Sequence, residues 1–158
     1  MPPLVVAPIA GLAAGLVASF AMALYQGATA SLFGQDKGND DSATVKAADS
    51  AKAAVGARPV TQKRRAEAGG LVHYATGTAL GIAYALLVSA WPPAAAGFGI
   101  AFGIVVALLL DDLVVPALGW GPAPWATAPA THAYSLSSHI VFGLVLEGIR
   151  RGAVALLT

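Results

Sequence analysis

Apolar residues fill four stretches of this chain, and one long polar segment separates the first from the others. From about Leu4 to Phe33 the run is broken only by Pro8, a few Ser and Thr residues, Tyr25 and Gln26; further runs cover about 69–91, 94–118 and 131–149. A helix crosses the hydrocarbon core of a bilayer with roughly 20 apolar residues. The pattern therefore predicts an all-α fold, an integral membrane four-helix bundle forming a single membrane domain over 1–158. Pro8 falls in the first turns, where proline is tolerated. Pro92-Pro93 breaks the chain after the second run, and Gly119, Gly121, Pro122, Pro124 and Pro129 break it after the third. Trp91, Trp120 and Trp125 sit at these breaks, as interfacial anchors do.

Between 34 and 68 the pattern inverts. This loop holds Lys37, Lys46, Lys52, Arg58, Lys63, Arg64 and Arg65 with Asp36, Asp40, Asp41, Asp49 and Glu67. Asp41 or Ser42 is expected to cap a short helix over Ala43–Val55, stopped by Gly56 and Pro59. Such a helix is expected to lie along the membrane surface. The first run has no Lys/Arg-rich leader and exceeds a signal-peptide core in length, so it is expected to be retained as a span.

Composition sharpens this picture. Of 158 residues 57% are hydrophobic and 11% charged, against roughly 25% charged in a soluble domain, and the mean hydropathy is +0.71. A soluble globular protein is excluded. A net charge of +1 gives no basic surface for nucleic acid. The absence of cysteine removes disulfides, thiolate metal sites and thiol nucleophiles. The loop side carries seven Lys/Arg and the other side two, which by the positive-inside rule puts loop 34–68 in the cytoplasm.

In lipid, helices associate through small residues that let backbones approach. Each run has such a row at a spacing of four: Gly11, Gly15, Ser19, Ala23 and Gly27; Gly77, Gly81, Ala85 and Ser89; Gly99, Gly103 and Ala107; Ser135, His139, Gly143 and Glu147. His73 extends the second row and Asp111 the third, so the ionisable groups share the packing faces, as burial inside a bundle requires. Antiparallel threading puts His73, Asp111, Asp112, His132 and Gln26 in one leaflet, with His139 one or two turns deeper. The expected constellation is His73, Asp111 and His139, with Asp112, His132 and Gln26 near its rim. Three chemistries compete for it: a polar core that fixes helix register, a proton-handling site, and a metal or haem site. Glu147, Arg150 and Arg151 have helical spacing for an ion pair that anchors the interface. Tyr74, Tyr84 and Tyr134 are expected to pack with bonded hydroxyls. No HExxH, nucleophile elbow or phosphate loop occurs, so no enzyme and no cofactor are expected.

Several segments together resemble a known family: Thr44-Val45-Lys46-Ala47-Ala48-Asp49, Val72-His73-Tyr74-Ala75, Asp111-Asp112 with Val115-Pro116-Ala117-Leu118-Gly119, Thr131-His132-Ala133-Tyr134, and Glu147-Gly148-Ile149-Arg150-Arg151. The chain resembles the YagU-like family of bacterial inner-membrane proteins, whose function is not established. The resemblance implies a small multi-pass protein of the inner (plasma) membrane. It also suggests a cytoplasmic Arg150-Arg151 tail, opposite to the basic-residue count.

Three roles are expected from these readings, the last a metal- or haem-binding membrane protein. In the first, the His/Asp cluster fixes packing or moves protons or small solutes, in a homo-oligomer joined through an exposed small-residue face of the first span. In the second, the chain is an accessory subunit of a larger membrane complex, docked through the 43–55 helix.

Overall fold

The computed structural model describes residues 3–35 and 42–158. Among these the chain is helical without strands: α1 Pro3–Thr29, α2 Ala43–Ala54, α3 Arg65–Ala90, α4 Ile100–Ala107, α5 Val115–Ala117 and α6 Pro129–Leu157. A π-helical segment, Leu108–Val114, joins α4 to α5 without a break. Among the described residues three helical stretches are long and apolar enough to cross a membrane: Val5–Phe33, Gln62–Ala90 and Ile100–Ala117. By length and composition they are compatible with a multi-pass membrane protein. Along the outside run Ile9, Leu12, Leu16, Phe20 and Leu24 on α1, Val105 on α4, and Leu108, Leu109 and Leu113 on the π-helical segment, all exposed. A stripe of this kind is a liability in water and the expected surface in lipid.

The helices meet where glycine leaves room. Helix α1 packs on α3 and α6, α4 on α6, and α2 on α3. At the α1–α3 crossing a Cβ on Gly11 would lie 2.6 Å from the Gly81 carbonyl oxygen, and one on Gly15 would lie 2.5 Å from that of Gly77. Only hydrogen fits between backbones that close. Gly99 and Gly103 meet Gly143 and His139 across α4 and α6 in the same way. The contact is therefore between pairs of rows, and the Gly11/Gly15 face is covered by α3. It is not the exposed oligomer contact expected from the sequence. Around these crossings Ala14, Ala18, Met22, Tyr84, Val88, Phe142 and Leu146 form the core.

Two boundaries differ from the sequence expectation. The third span begins at Ile100 rather than near Ala94, because Gly97, Phe98 and Gly99 all have left-handed backbone, with φ of 61°, 56° and 85°. Left-handed residues cannot continue a right-handed helix, and for Phe98 the conformation costs about 1–2 kcal/mol. Its ring lies under the Arg151 guanidinium, 4.8 Å from the charge centre. The fourth helix continues past 149 to Leu157, since nothing after Arg151 interrupts it. Asp36, Lys37, Asp40 and Asp41 lie outside the described residues, so the N-cap position of α2 is Ser42.

Pro116 explains the π-helical segment. A proline has no N–H for the carbonyl four residues back, and its ring crowds that carbonyl; here it belongs to Asp112. The turn before it widens, and the Val115 N–H bonds to the Leu110 carbonyl, an i→i−5 bond. A wider turn carries more residues per revolution, so successive side chains diverge by less than the ~100° of an α-helix. Asp111 and Asp112 can then both address α6. Beyond α5 the chain turns at Gly119, whose φ of 70° closes the helix as a left-handed cap.

Candidate functional site

A cavity of about 640 Å³ opens between α1, α3, the π-helical segment and α6, lined by Gln26, His73, Asp111, Tyr134 and His139 among others. Ser42, Ala43, Thr44 and Ala47 of α2 and Trp120 line it as well. Helix α2 buries Val45 and Ala48 against the start of α3, where Gly69 leaves room for Thr44 and Val45. It is pinned by Asp49, which accepts the Val60 N–H at 2.6 Å and pairs with Arg65 at 3.6 Å. The Trp120 indole N–H donates to the Ser50 hydroxyl at 2.9 Å, tying α2 to the loop before α6. The polar helix thus folds over one end of the bundle.

Within the cavity the ring hydrogen bonds define the tautomers. His73 Nε2 lies 3.0 Å from the Ser19 carbonyl oxygen. A carbonyl only accepts, so Nε2 carries the hydrogen. His139 Nδ1 lies 3.0 Å from the Ser135 carbonyl and 3.6 Å from Asp111 Oδ2, so there Nδ1 carries it. The Ser135 hydroxyl donates a short bond to the same Asp111 oxygen. Asp111 and His139 are therefore in contact, whereas His73 shares the cavity and bonds to α1. Gln26 lines the cavity, and its carbonyl accepts the Tyr134 hydroxyl at 3.1 Å.

Asp112 and His132 form a separate pair at 3.1 Å, with His132 Nε2 3.0 Å from the Pro124 carbonyl. Both ring nitrogens face acceptors. The Asp112 contact is a hydrogen bond only when the pair holds one proton more than a neutral imidazole and a carboxylate. The widened turn thus places one acid on each of two histidines of α6.

Glu147 lies in a second polar centre. It is fully buried and accepts from the Tyr84 hydroxyl at 2.9 Å, from Arg150 at 2.7 and 2.9 Å, and from Arg151 Nε at 2.6 Å. The expected Glu147–Arg pairing is present as geometry, but the carboxylate faces the interior against α3 rather than the interface. Sequence reasoning did not connect Tyr84 to it. The available signal was the row Ser135, His139, Gly143, Glu147, which already put Glu147 on the buried face. Ser135 stood in that row too, but no role as the partner of Asp111 was read from it.

No group of three His, Asp or Glu side chains among the described residues is placed to hold a metal ion, so the described part of the cavity lends no support to the metal reading. Neither a curated protein nor a solved structure matches the chain. A family model described as "Protein of unknown function (DUF1440)" matches residues 52–148, a stretch that holds α3, the π-helical segment, both His–Asp pairs and Glu147. The YagU-like resemblance is consistent with that match. With more than half of its length covered, including Asp111, Asp112 and Glu147, the chain belongs to the DUF1440 family, whose function is unknown.

Proposed function

We propose that this is a four-crossing protein of the bacterial inner membrane that admits a small solute into its cavity and couples it to a proton held by Asp111 and His139. The observation that carries the reading is the contact of Asp111 with His139 inside a cavity that His73 also lines. Ionisable groups are costly at membrane depth and are retained mainly along ion or proton paths. An imidazole beside a carboxylate exchanges protons near neutral pH. π-helical turns recur at functional sites, and here one carries the acid.

Helix α6 supplies the fourth crossing in this reading. Its polar residues Ser138, His139 and Glu147 are buried, so its modest hydropathy reflects an interior face rather than a watery one. Loop 34–68, with seven of the nine basic residues, faces the cytoplasm, and the cavity end covered by α2 faces the same way.

Proton flux into liposomes carrying the purified protein and a trapped pH dye tests the proposal. The wild type is expected to conduct protons above empty liposomes, and Asp111→Asn and His139→Gln to lose at least tenfold of that flux. Flux equal to that of empty liposomes, or unchanged in both variants, refutes it and leaves a polar core that only fixes helix packing.

A further inference from the structure

We infer that the solute is a small monovalent organic cation with an apolar body, bound at Asp111. This rests on the reading of the cavity as a solute site and adds the chemical class. Among the described lining residues Asp111 is the only Asp, Glu, Lys or Arg. With its Nδ1 hydrogen turned to the Ser135 carbonyl, a neutral His139 offers Asp111 a dipole and no full positive charge. A lone carboxylate on the wall of a low-dielectric cleft focuses its field into the cavity, so occupancy by a cation is favoured and an anion is repelled.

The remaining lining selects among cations. Both described partners of Asp111, Ser135 and His139, use Oδ2, and the side chain is 40% exposed, so the carboxylate has room for a further partner. A hard metal cation wants six or more oxygens, several of them carboxylates, and among the described residues no three His, Asp or Glu side chains converge to hold one. Tyr134, Trp120 and Phe142 line the same space, and aromatic faces attract a weakly hydrated cation. The volume, about 640 Å³, suits a molecule of a dozen or more heavy atoms, within the roughly 300–1,000 Å³ of small-molecule sites.

Equilibrium dialysis on the full chain in lipid nanodiscs, with empty nanodiscs subtracted, tests the inference. The probes are benzyltrimethylammonium, its neutral carbon isostere neopentylbenzene, and benzenesulfonate. The cation is expected to bind at least tenfold more tightly than the isostere, and benzenesulfonate not to bind. Asp111→Asn is expected to bring the cation down to the level of the isostere, and Asp112→Asn, paired with His132 outside the cavity lining, to leave it unchanged. Trp120→Leu is expected to lower the preference for the cation at least threefold, and serves if Asp111→Asn does not fold. Equal binding of cation and isostere, or full cation binding in Asp111→Asn, overturns the inference. Asp111-dependent proton flux with no cation preference overturns the cation class alone, whereas cation binding without flux supports the class and refutes proton coupling.

Discussion

Replacing Glu147 gives the most direct test of how the polar interior is held. The side chain is fully buried and its oxygens accept four hydrogen bonds, three of them from two arginines. The arginines differ in setting: Arg150 is 15% exposed and Arg151 57%. Removing one partner of a buried ion pair costs about 3–5 kcal/mol, because the other charge stays behind unpaired. Glu147→Ala strands Arg150 in this way, and a loss of about 3–5 kcal/mol is expected for it. Arg150→Ala also leaves a buried charge, but Arg151 and Tyr84 still hold the carboxylate, so about 1.5–3 kcal/mol is expected, the range for hydrogen bonds to a charged group. Arg151→Ala removes a guanidinium that is itself 57% exposed, leaves the carboxylate to Arg150 and Tyr84, and loses the cation–π contact to Phe98, so about 0.5–2 kcal/mol in all is expected. Unfolding in mixed detergent micelles titrated with SDS measures all three. The reasoning fails if Arg151→Ala costs as much as Glu147→Ala, or if Glu147→Ala costs under about 1 kcal/mol, the level of an exposed pair.

Two further predictions concern the crossings and the rings. Gly81→Ala puts a Cβ 2.5 Å from Gly15 Cα, backbone against backbone, and is expected to cost about 1–3 kcal/mol. Gly27→Ala, with nothing within 4 Å, is expected to be neutral or to stabilise by up to about 1 kcal/mol through helix propensity; SDS unfolding of the two variants checks the difference. Nitrogen-15 NMR of labelled histidine at alkaline pH is expected to show the Nε2–H form for His73 and the Nδ1–H form for His139. The same form at both rings would refute the placement of their carbonyl partners.

Much of the architecture is legible in the residues themselves. The runs around α1, α3 and α6 are helices because they are apolar and contain no breaker beyond the tolerated Pro8. The α2 helix ends where Gly56, with φ of 70°, permits the turn that other residues resist. The candidate site was partly legible: a spacing of four put Ser135, His139, Gly143 and Glu147 on one face. The late start at Ile100 was not, since Ala94, Ala95 and Ala96 suit a helix equally well, and it is the left-handed run at 97–99 that decides. The tie between Tyr84 and Glu147 also escaped, because these residues are 63 positions apart and no local signal links them.

Hydropathy and periodicity are local properties of a chain, and they are enough to read the helices, their fitness to cross a membrane and their small-residue faces. That α1 meets α3 and α4 meets α6 through those faces emerges with packing, since one glycine row accommodates another equally well until a partner is selected. Packing also decides that Pro116 widens the preceding turn enough to give both Asp111 and Asp112 a histidine on α6. Glu147 was drawn to the interior by the same cause: a buried charge settles where several donors converge, and convergence is a property of assembled helices rather than of any one of them.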